Sequence, residues 1–244
     1  MWKIIIYSLL VIAAIVLIVL IALGTTRKGG NNKNNNSLYH IHQNLQGKVT
    51  NIHDVKDTKI YVVENFLSGE ECEMLIKNAQ GKMSPSPLTS PVDDEKYRDS
   101  ETCYFTNNPL HNTIDNKICQ FLGLGRNFSE DSQIQHYNTG NQFKPHHDFF
   151  HDNDFEGYAG KNSDFKGQRT WTFAVYLNDV LEGGNTEFVD LGIKIEARRG
   201  RAVIWNNLNK DGTENFNTLH CGKPVEKGEK YIVTKWFRDR EQKK

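Results

Sequence analysis

The chain has 244 residues, with 30 basic and 30 acidic side chains that cancel. Balanced charge leaves no electrostatic footprint for nucleic acid or for a strongly acidic or basic partner. The length suits one large domain or two small ones.

Residues 1–3 precede an uncharged apolar run over residues 4–23. At about 1.5 Å per helical residue it matches the ~30 Å hydrocarbon core of a bilayer. It is longer than the apolar part of a cleaved signal peptide, and no Ala-x-Ala-like site closes it. The run therefore reads as an uncleaved signal-anchor, a single transmembrane helix. Lys3 precedes it, while Arg27, Lys28 and Lys33 follow. The positive-inside rule puts that C-terminal flank in the cytoplasm. A luminal enzyme domain needs the reverse, so the orientation stays open. Residues 24–57 are polar and rich in Gly and Asn, and read as a flexible tether.

The folded domain is expected over residues 58–244. Residues 60–63 have the β-branched and aromatic composition of a strand. Ser68, with Glu71 three residues on, forms a capping box. Cys72, Leu75, Ile76 and Ala79 give the helix that follows an apolar stripe, and Gly81 stops it. Residues 84–95 hold three prolines and read as a loop. Residues 97–105 alternate as a strand, and residues 114–122 carry a second helical period that ends at Gly123. Short β-like runs follow at 133–137, 170–177, 201–205 and 230–237. Helices first and many short strands after predict an α+β, mainly β domain, with helices outside a sandwich or jelly roll.

Four cysteines, at 72, 103, 119 and 221, form no Cys-x-x-Cys pair. That spacing excludes the commonest zinc-ribbon pattern and is too sparse for a disulfide scaffold. One or two bridges and free buried thiols both remain open. Asn127-Phe128-Ser129 is a glycosylation acceptor if the domain is luminal.

The chemistry concentrates at Lys144-Pro145-His146-His147-Asp148-Phe149-Phe150. In an extended segment His146 and Asp148 share a face, and His147 points the other way. With His220 as a third ligand, two imidazoles and one carboxylate leave one face of a metal open. That is the arrangement for non-haem Fe(II) that activates dioxygen. Pro224 and Gly228 mark a reversal after His220. The reversal is expected to put His220 and Lys230 on neighbouring strands facing one cavity. A strand-end lysine is ordinarily solvated. A lysine deep in a barrel needs an anion, since a buried unpaired ammonium is costly.

Six stretches together resemble the catalytic domain of prolyl 4-hydroxylases. They are Pro145-His146-His147-Asp148; Gly167-Gln168-Arg169; Tyr176-Leu177-Asn178-Asp179-Val180 with Glu182-Gly183-Gly184-Asn185-Thr186-Glu187-Phe188; Trp205-Asn206-Asn207-Leu208; Asp211-Gly212-Thr213; and Leu219-His220 through Lys230 to Thr234-Lys235-Trp236. The resemblance covers residues 58–240 and is nearest the single-domain type of plants, algae and large viruses. It implies a double-stranded β-helix (jelly-roll) core, Fe(II), 2-oxoglutarate as co-substrate, O2, and ascorbate as reductant. The implied reaction converts peptidyl proline in proline-rich or collagen-like proteins to 4-hydroxyproline, with 2-oxoglutarate going to succinate and CO2. It also implies an endomembrane (ER) location, or a host membrane if the chain is viral.

Carried over by position, the resemblance makes His146, Asp148 and His220 the iron ligands. Lys230 and Tyr137 would hold the far carboxylate of 2-oxoglutarate, and Thr172 would contact the same co-substrate. Arg169 and Trp236 would lie near the substrate proline; packing alone also explains them. Tyr97-Arg98-Asp99-Ser100 resembles the entry to a strand beside a substrate lid at residues 84–97. Tyr104, Phe105, Phe149, Phe150, Tyr158, Trp171 and Trp236 supply aromatic material for a polyproline groove. His136 and His151 flank the site without ligating. The chain departs from the family at Cys221 and Lys223, which puts any inherited disulfide in doubt.

Three other readings compete. A related 2-oxoglutarate hydroxylase acting on lysine or another side chain keeps the same centre. A non-catalytic module that binds proline-rich proteins leaves the ligand set and Lys230 without a purpose. A zinc hydrolase using His146, His147 and His151 lacks the His-Glu-x-x-His spacing.

Overall fold

A computed structural model of the protein describes residues 41, 43–45, 47–87, 97–151 and 167–242. The apolar run 4–23 and most of the expected tether lie outside them. Among the described residues no helix is long and apolar enough to cross a membrane.

The described chain is mainly β, as the strand-rich second half predicts. The larger sheet has eight strands. In spatial order they are β1 (Asn51–Val55), β2 (Thr58–Val63), β11 (Ala202–Asn206), β7 (Arg169–Tyr176), β14 (Lys230–Arg238), β5 (Gln133–Tyr137), β4 (Glu101–Tyr104) and β3 (Ser84–Pro85). A four-stranded sheet runs β10 (Ile193–Ile195), β9 (Thr186–Phe188), β12 (His220–Gly222) and β6 (Phe143–His146). β13 (Val225–Lys227) pairs with β8 (Glu182–Gly183).

Alternation along the central strands builds two cores. Trp171, Phe173 and Val175 of β7, with Tyr231, Val233 and Phe237 of β14, face one side. There they meet Cys72, Leu75 and Ala79 of helix α1 (Gly69–Ala79) and Ile114, Ile118 and Leu122 of helix α2 (Pro109–Leu122). Ala174 and Tyr176, with Ile232, Val203 and Trp205, face the other side and meet Phe188 and Ile195 of the small sheet. Helices therefore cover one face of the large sheet, and the small sheet faces the other.

The capping box is present: Ser68 Oγ accepts from Glu71 N, and Glu71 accepts from Ser68 N. Gly123 closes α2 with φ 73°. Three expectations change. First, the expected tether ends earlier: Ile41 and Leu45 are buried in the helix-side core, and β1 pairs antiparallel with β2 through a turn at Lys56 and Asp57, both with positive φ. β1 is almost wholly exposed, so it carries no apolar period. Second, α2 starts at Pro109, capped by Asn108. Its first turns bury polar groups instead of a stripe: His111 stacks on Phe105, and Asp115 binds Arg126, Ser132 and Lys235. Third, Ser84 and Pro85 form an edge strand where a loop is expected; most of the rest of that loop, residues 88–96, lies outside the described residues. All four cysteines are buried and unbridged.

Candidate metal centre and its cavity

Strand pairing brings His146, Asp148 and His220 together. β12 and β6 run antiparallel with His220 opposite His146. Asp148 follows β6 by two residues. His146 Nε2 lies 3.9 Å from Asp148 Oδ1, and His220 Nε2 lies 3.8 Å from Asp148 Oδ2. One donor atom from each of the three residues lies within 4.8 Å of the other two.

The far sides of the rings are committed. His146 Nδ1 bonds Lys144 O at 2.7 Å, and His220 Nδ1 bonds Thr218 O at 2.9 Å. A carbonyl accepts only from N–H, so each Nδ1 carries a proton and each Nε2 is the ring nitrogen turned to the centre. Burial, helped by His220, pushes the His146 imidazole down to about 3, which keeps it neutral and able to ligate. Burial alone would raise the Asp148 carboxyl, but His220, His146 and Arg169 together hold it below its ordinary value. Phe143 stacks on His146 with centroids 3.6 Å apart and fixes the ring plane.

The cavity in front of this group is also lined by Lys230, Tyr137, Gln135, Thr186, Thr234 and Trp236. Lys230 is 2 % exposed. Among the described residues its ammonium has one hydrogen-bond partner, Gly184 O at 3.2 Å, and it sits 4.1 Å from the Tyr137 ring centroid. Burial pushes Lys230 down to about 8. A cation with no counter-ion calls for an anionic ligand in this space. A Cβ on Gly222 would lie 3.2 Å from Lys230 Nζ, so the glycine makes room for the ammonium. Two imidazoles, one carboxylate and a facing buried cation fit Fe(II) together with a dicarboxylate.

His220 and Lys230 do share one cavity, but their strands are not neighbours. β12 belongs to the small sheet and β14 to the large one, so the two side chains face each other across the interior. Tyr137 lines the cavity, and its hydroxyl donates to Gln135 Oε1 at 2.9 Å. Thr172 does not line it. Its hydroxyl donates to Asp148 Oδ2 at 2.6 Å and accepts from Asn207 Nδ2 at 2.9 Å, so it serves a ligand and not the co-substrate space.

Trp236 lines the cavity. Arg169 lies behind it, 3.9 Å from the Trp236 ring centroid, and pairs with Glu130 through Nε at 2.6 Å and Nη2 at 2.8 Å. His147 turns away from the centre, bonding Phe216 O at 3.1 Å and stacking on Phe149. His136 lies between Glu101 and Glu229. Trp171 and Phe105 belong to the helix-side core and are not groove aromatics. Tyr158 lies outside the described residues.

Thr186, Gln135, Thr234 and Phe143 are cavity residues that the sequence reading leaves unassigned. Alternation could have found two of them, because Gln135 shares a face with Tyr137, and Thr234 with Lys230 and Trp236. Thr186 lies two residues beyond Gly184, the lysine's carbonyl partner.

Residues 132–238 match the model of the 2OG-Fe(II) oxygenase superfamily. A probable prolyl 4-hydroxylase 6 of Arabidopsis thaliana is 30% identical over 204 residues, covering 73% of this chain and 68% of that protein. Prolyl 4-hydroxylase subunit alpha-1 of Bos taurus is 29% identical over 198 residues, 80% of this chain. The match spans only 35% of that longer subunit. Among solved structures, the viral collagen prolyl hydroxylase of Paramecium bursaria Chlorella virus-1, in complex with 2OG, superposes with a TM-score of 0.58. It is 27% identical, covering 76% of this chain and 97% of that one.

Proposed function

The chain belongs to the prolyl 4-hydroxylase family of 2OG-Fe(II) oxygenases, and on that premise we propose that it hydroxylates proline in proline-rich or collagen-like polypeptides. The observation that carries this is the facing of the His146–Asp148–His220 group and the buried, anion-less Lys230 across one cavity.

In this reading the two Nε2 atoms and the Asp148 carboxylate hold Fe(II). Lys230, as counter-ion, and Tyr137, through its hydroxyl, receive the far carboxylate of 2-oxoglutarate, with Thr186 lining the same cavity. When bound, the iron and co-substrate couple decarboxylation of 2-oxoglutarate by O2 to hydroxylation, with ascorbate keeping the metal reduced. The protein orients and excludes water. Thr172 fixes one carboxylate oxygen, Phe143 fixes the His146 ring, and Ala174, Trp205 and Ile232 keep the cavity walls apolar. Trp236, backed by Arg169, forms the wall that a substrate proline ring would meet.

The uncharged run 4–23 supports a membrane anchor. With it comes an endomembrane location, and residues 24 to about 40 serve as the tether. A relative acting on lysine would share the metal centre but needs an acceptor for the substrate ammonium.

Protein supplied with Fe(II), 2-oxoglutarate, ascorbate and a proline-rich peptide is expected to add the mass of one oxygen atom per modified proline. Turnover of 2-oxoglutarate with every proline unmodified would overturn the substrate assignment.

A further inference from the structure

We propose that the chain is its own substrate, and that Pro87 of one copy is hydroxylated in the cavity of another. The proposal rests on the prolyl hydroxylase reading above.

The segment is Ser84-Pro85-Ser86-Pro87. Ser84 and Pro85 form β3, the outermost strand of the large sheet. The serines are the residues tied to β4. Ser84 Oγ donates to Thr102 O at 3.3 Å, and Ser86 N donates to Ser100 O at 2.9 Å. Ser86 Oγ also bonds Ser100 Oγ at 2.8 Å and Thr102 Oγ1 at 2.7 Å. Alternation then turns the prolines away from those bonds, at positions where a strand's N–H would face solvent. Pro85 and Pro87 are both exposed. The result is an extended Ser-Pro-Ser-Pro ribbon with its pyrrolidine rings presented outward and its backbone already ordered. Pre-ordering lowers the entropic cost of docking in an enzyme that reads extended proline segments.

The other described prolines do not offer this. Pro109 opens helix α2, Pro145 lies within β6 beside His146, and Pro224 is half-buried between strands. Pro85 is register-paired with Glu101, whereas Pro87 lies beyond the strand. Pro87 is therefore the target.

Its reach decides between self and neighbour. Pro87 O accepts from Arg98 Nη1 at 3.0 Å, and the Arg98 guanidinium lies 4.8 Å from the Phe143 ring centroid, which in turn stacks on His146. Arg98 and Phe143 thus stand between Pro87 and its own centre. The exposed ring is open to a second molecule. In the reaction the C4–H bond of Pro87 becomes C4–OH. One oxygen of O2 enters the hydroxyl and the other enters succinate. The remaining two electrons come from 2-oxoglutarate, which leaves as succinate and CO2.

The test uses the 244-residue chain with Fe(II), 2-oxoglutarate, ascorbate and an added proline-rich peptide in the same tube, followed by digestion and fragment mass mapping. The expected result is one added oxygen located on Pro87. It should be absent without 2-oxoglutarate and absent in Pro87→Ala, and the rate per chain should rise in proportion to protein concentration. Fragments must separate Pro87 from Met83, whose sulfoxide has the same added mass. An oxidised added peptide beside an unmodified Pro87 overturns the proposal and leaves the activity standing. A rate per chain independent of concentration overturns transfer between copies. If neither peptide nor chain gains oxygen, the parent reading fails and this proposal falls with it.

Discussion

The Thr172 hydroxyl donates at 2.6 Å to Asp148 Oδ2, the oxygen that lies 3.8 Å from His220 Nε2, and leaves Oδ1 turned toward His146. Asn207, fully buried, donates to the same hydroxyl and so orients its proton. Thr172→Val keeps the shape and removes the donor. Divalent metal affinity is expected to fall about 10–100-fold, the usual cost of losing an outer-shell partner. Titration with Co(II) as a redox-stable stand-in measures it. Unchanged affinity would show that the Asp148 carboxylate needs no positioning.

Lys230 and Gly222 form a second coupled pair. Lys230→Met is expected to weaken 2-oxoglutarate binding by about 2–5 kcal/mol, since one side of a buried charge pair is removed. Gly222→Ala puts a methyl 3.2 Å from the ammonium. Overpacking of about 1–3 kcal/mol predicts about tenfold weaker binding. Equilibrium binding of 2-oxoglutarate reads both, and the metal affinity of each variant should stay unchanged.

The lowered Lys230 value also sets a pH dependence. Without co-substrate, burial holds the ammonium near a value of about 8, below that of the unfolded chain. Above about 8 the folded state binds fewer protons than the unfolded state, so this group makes stability rise with pH toward the ordinary lysine range. Affinity for 2-oxoglutarate moves the other way and falls above about pH 8 as the cation is lost. Bound 2-oxoglutarate should remove the stability slope by keeping the lysine charged. Thermal melts across this range, with and without co-substrate, check both signs.

Glu130 is buried between two guanidiniums, with Oε1 2.6 Å from both Arg169 Nε and Arg238 Nε. Burial alone would raise its carboxyl, but Arg169 and Arg238 hold it below its usual value. Its contribution is therefore present above the ordinary carboxylate range and is lost as pH falls through the lowered value. Glu130→Ala strands two buried cations and should cost about 3–5 kcal/mol in denaturant unfolding. A cost under ~1 kcal/mol would show that the arginines find other partners.

What the sequence made legible follows from period and burial. Residues 133–137 and 230–237 read as strands because both faces of a central strand are buried and their apolar residues run together. β1 was illegible because an exposed edge strand leaves no apolar trace. His146 and Asp148 share a face by spacing alone. That His220 joins the sheet of His146 while Lys230 joins the opposite one was not visible, because a reversal in sequence does not say which sheet each arm joins. Thr172 and Thr186 are both threonines on strands facing the interior. Only the fold separates them, sending one to Asp148 and the other to the cavity lining.

The central claim is that the His146–Asp148–His220 group, faced by Lys230, splits dioxygen between 2-oxoglutarate and a proline. The most direct measurement supplies isotopically heavy dioxygen to the protein with a proline-rich peptide and locates the label by mass. The account predicts one heavy atom on a peptide proline and one in succinate, in equal amounts, with both lost in His146→Ala. Label in succinate with none on any proline would contradict it.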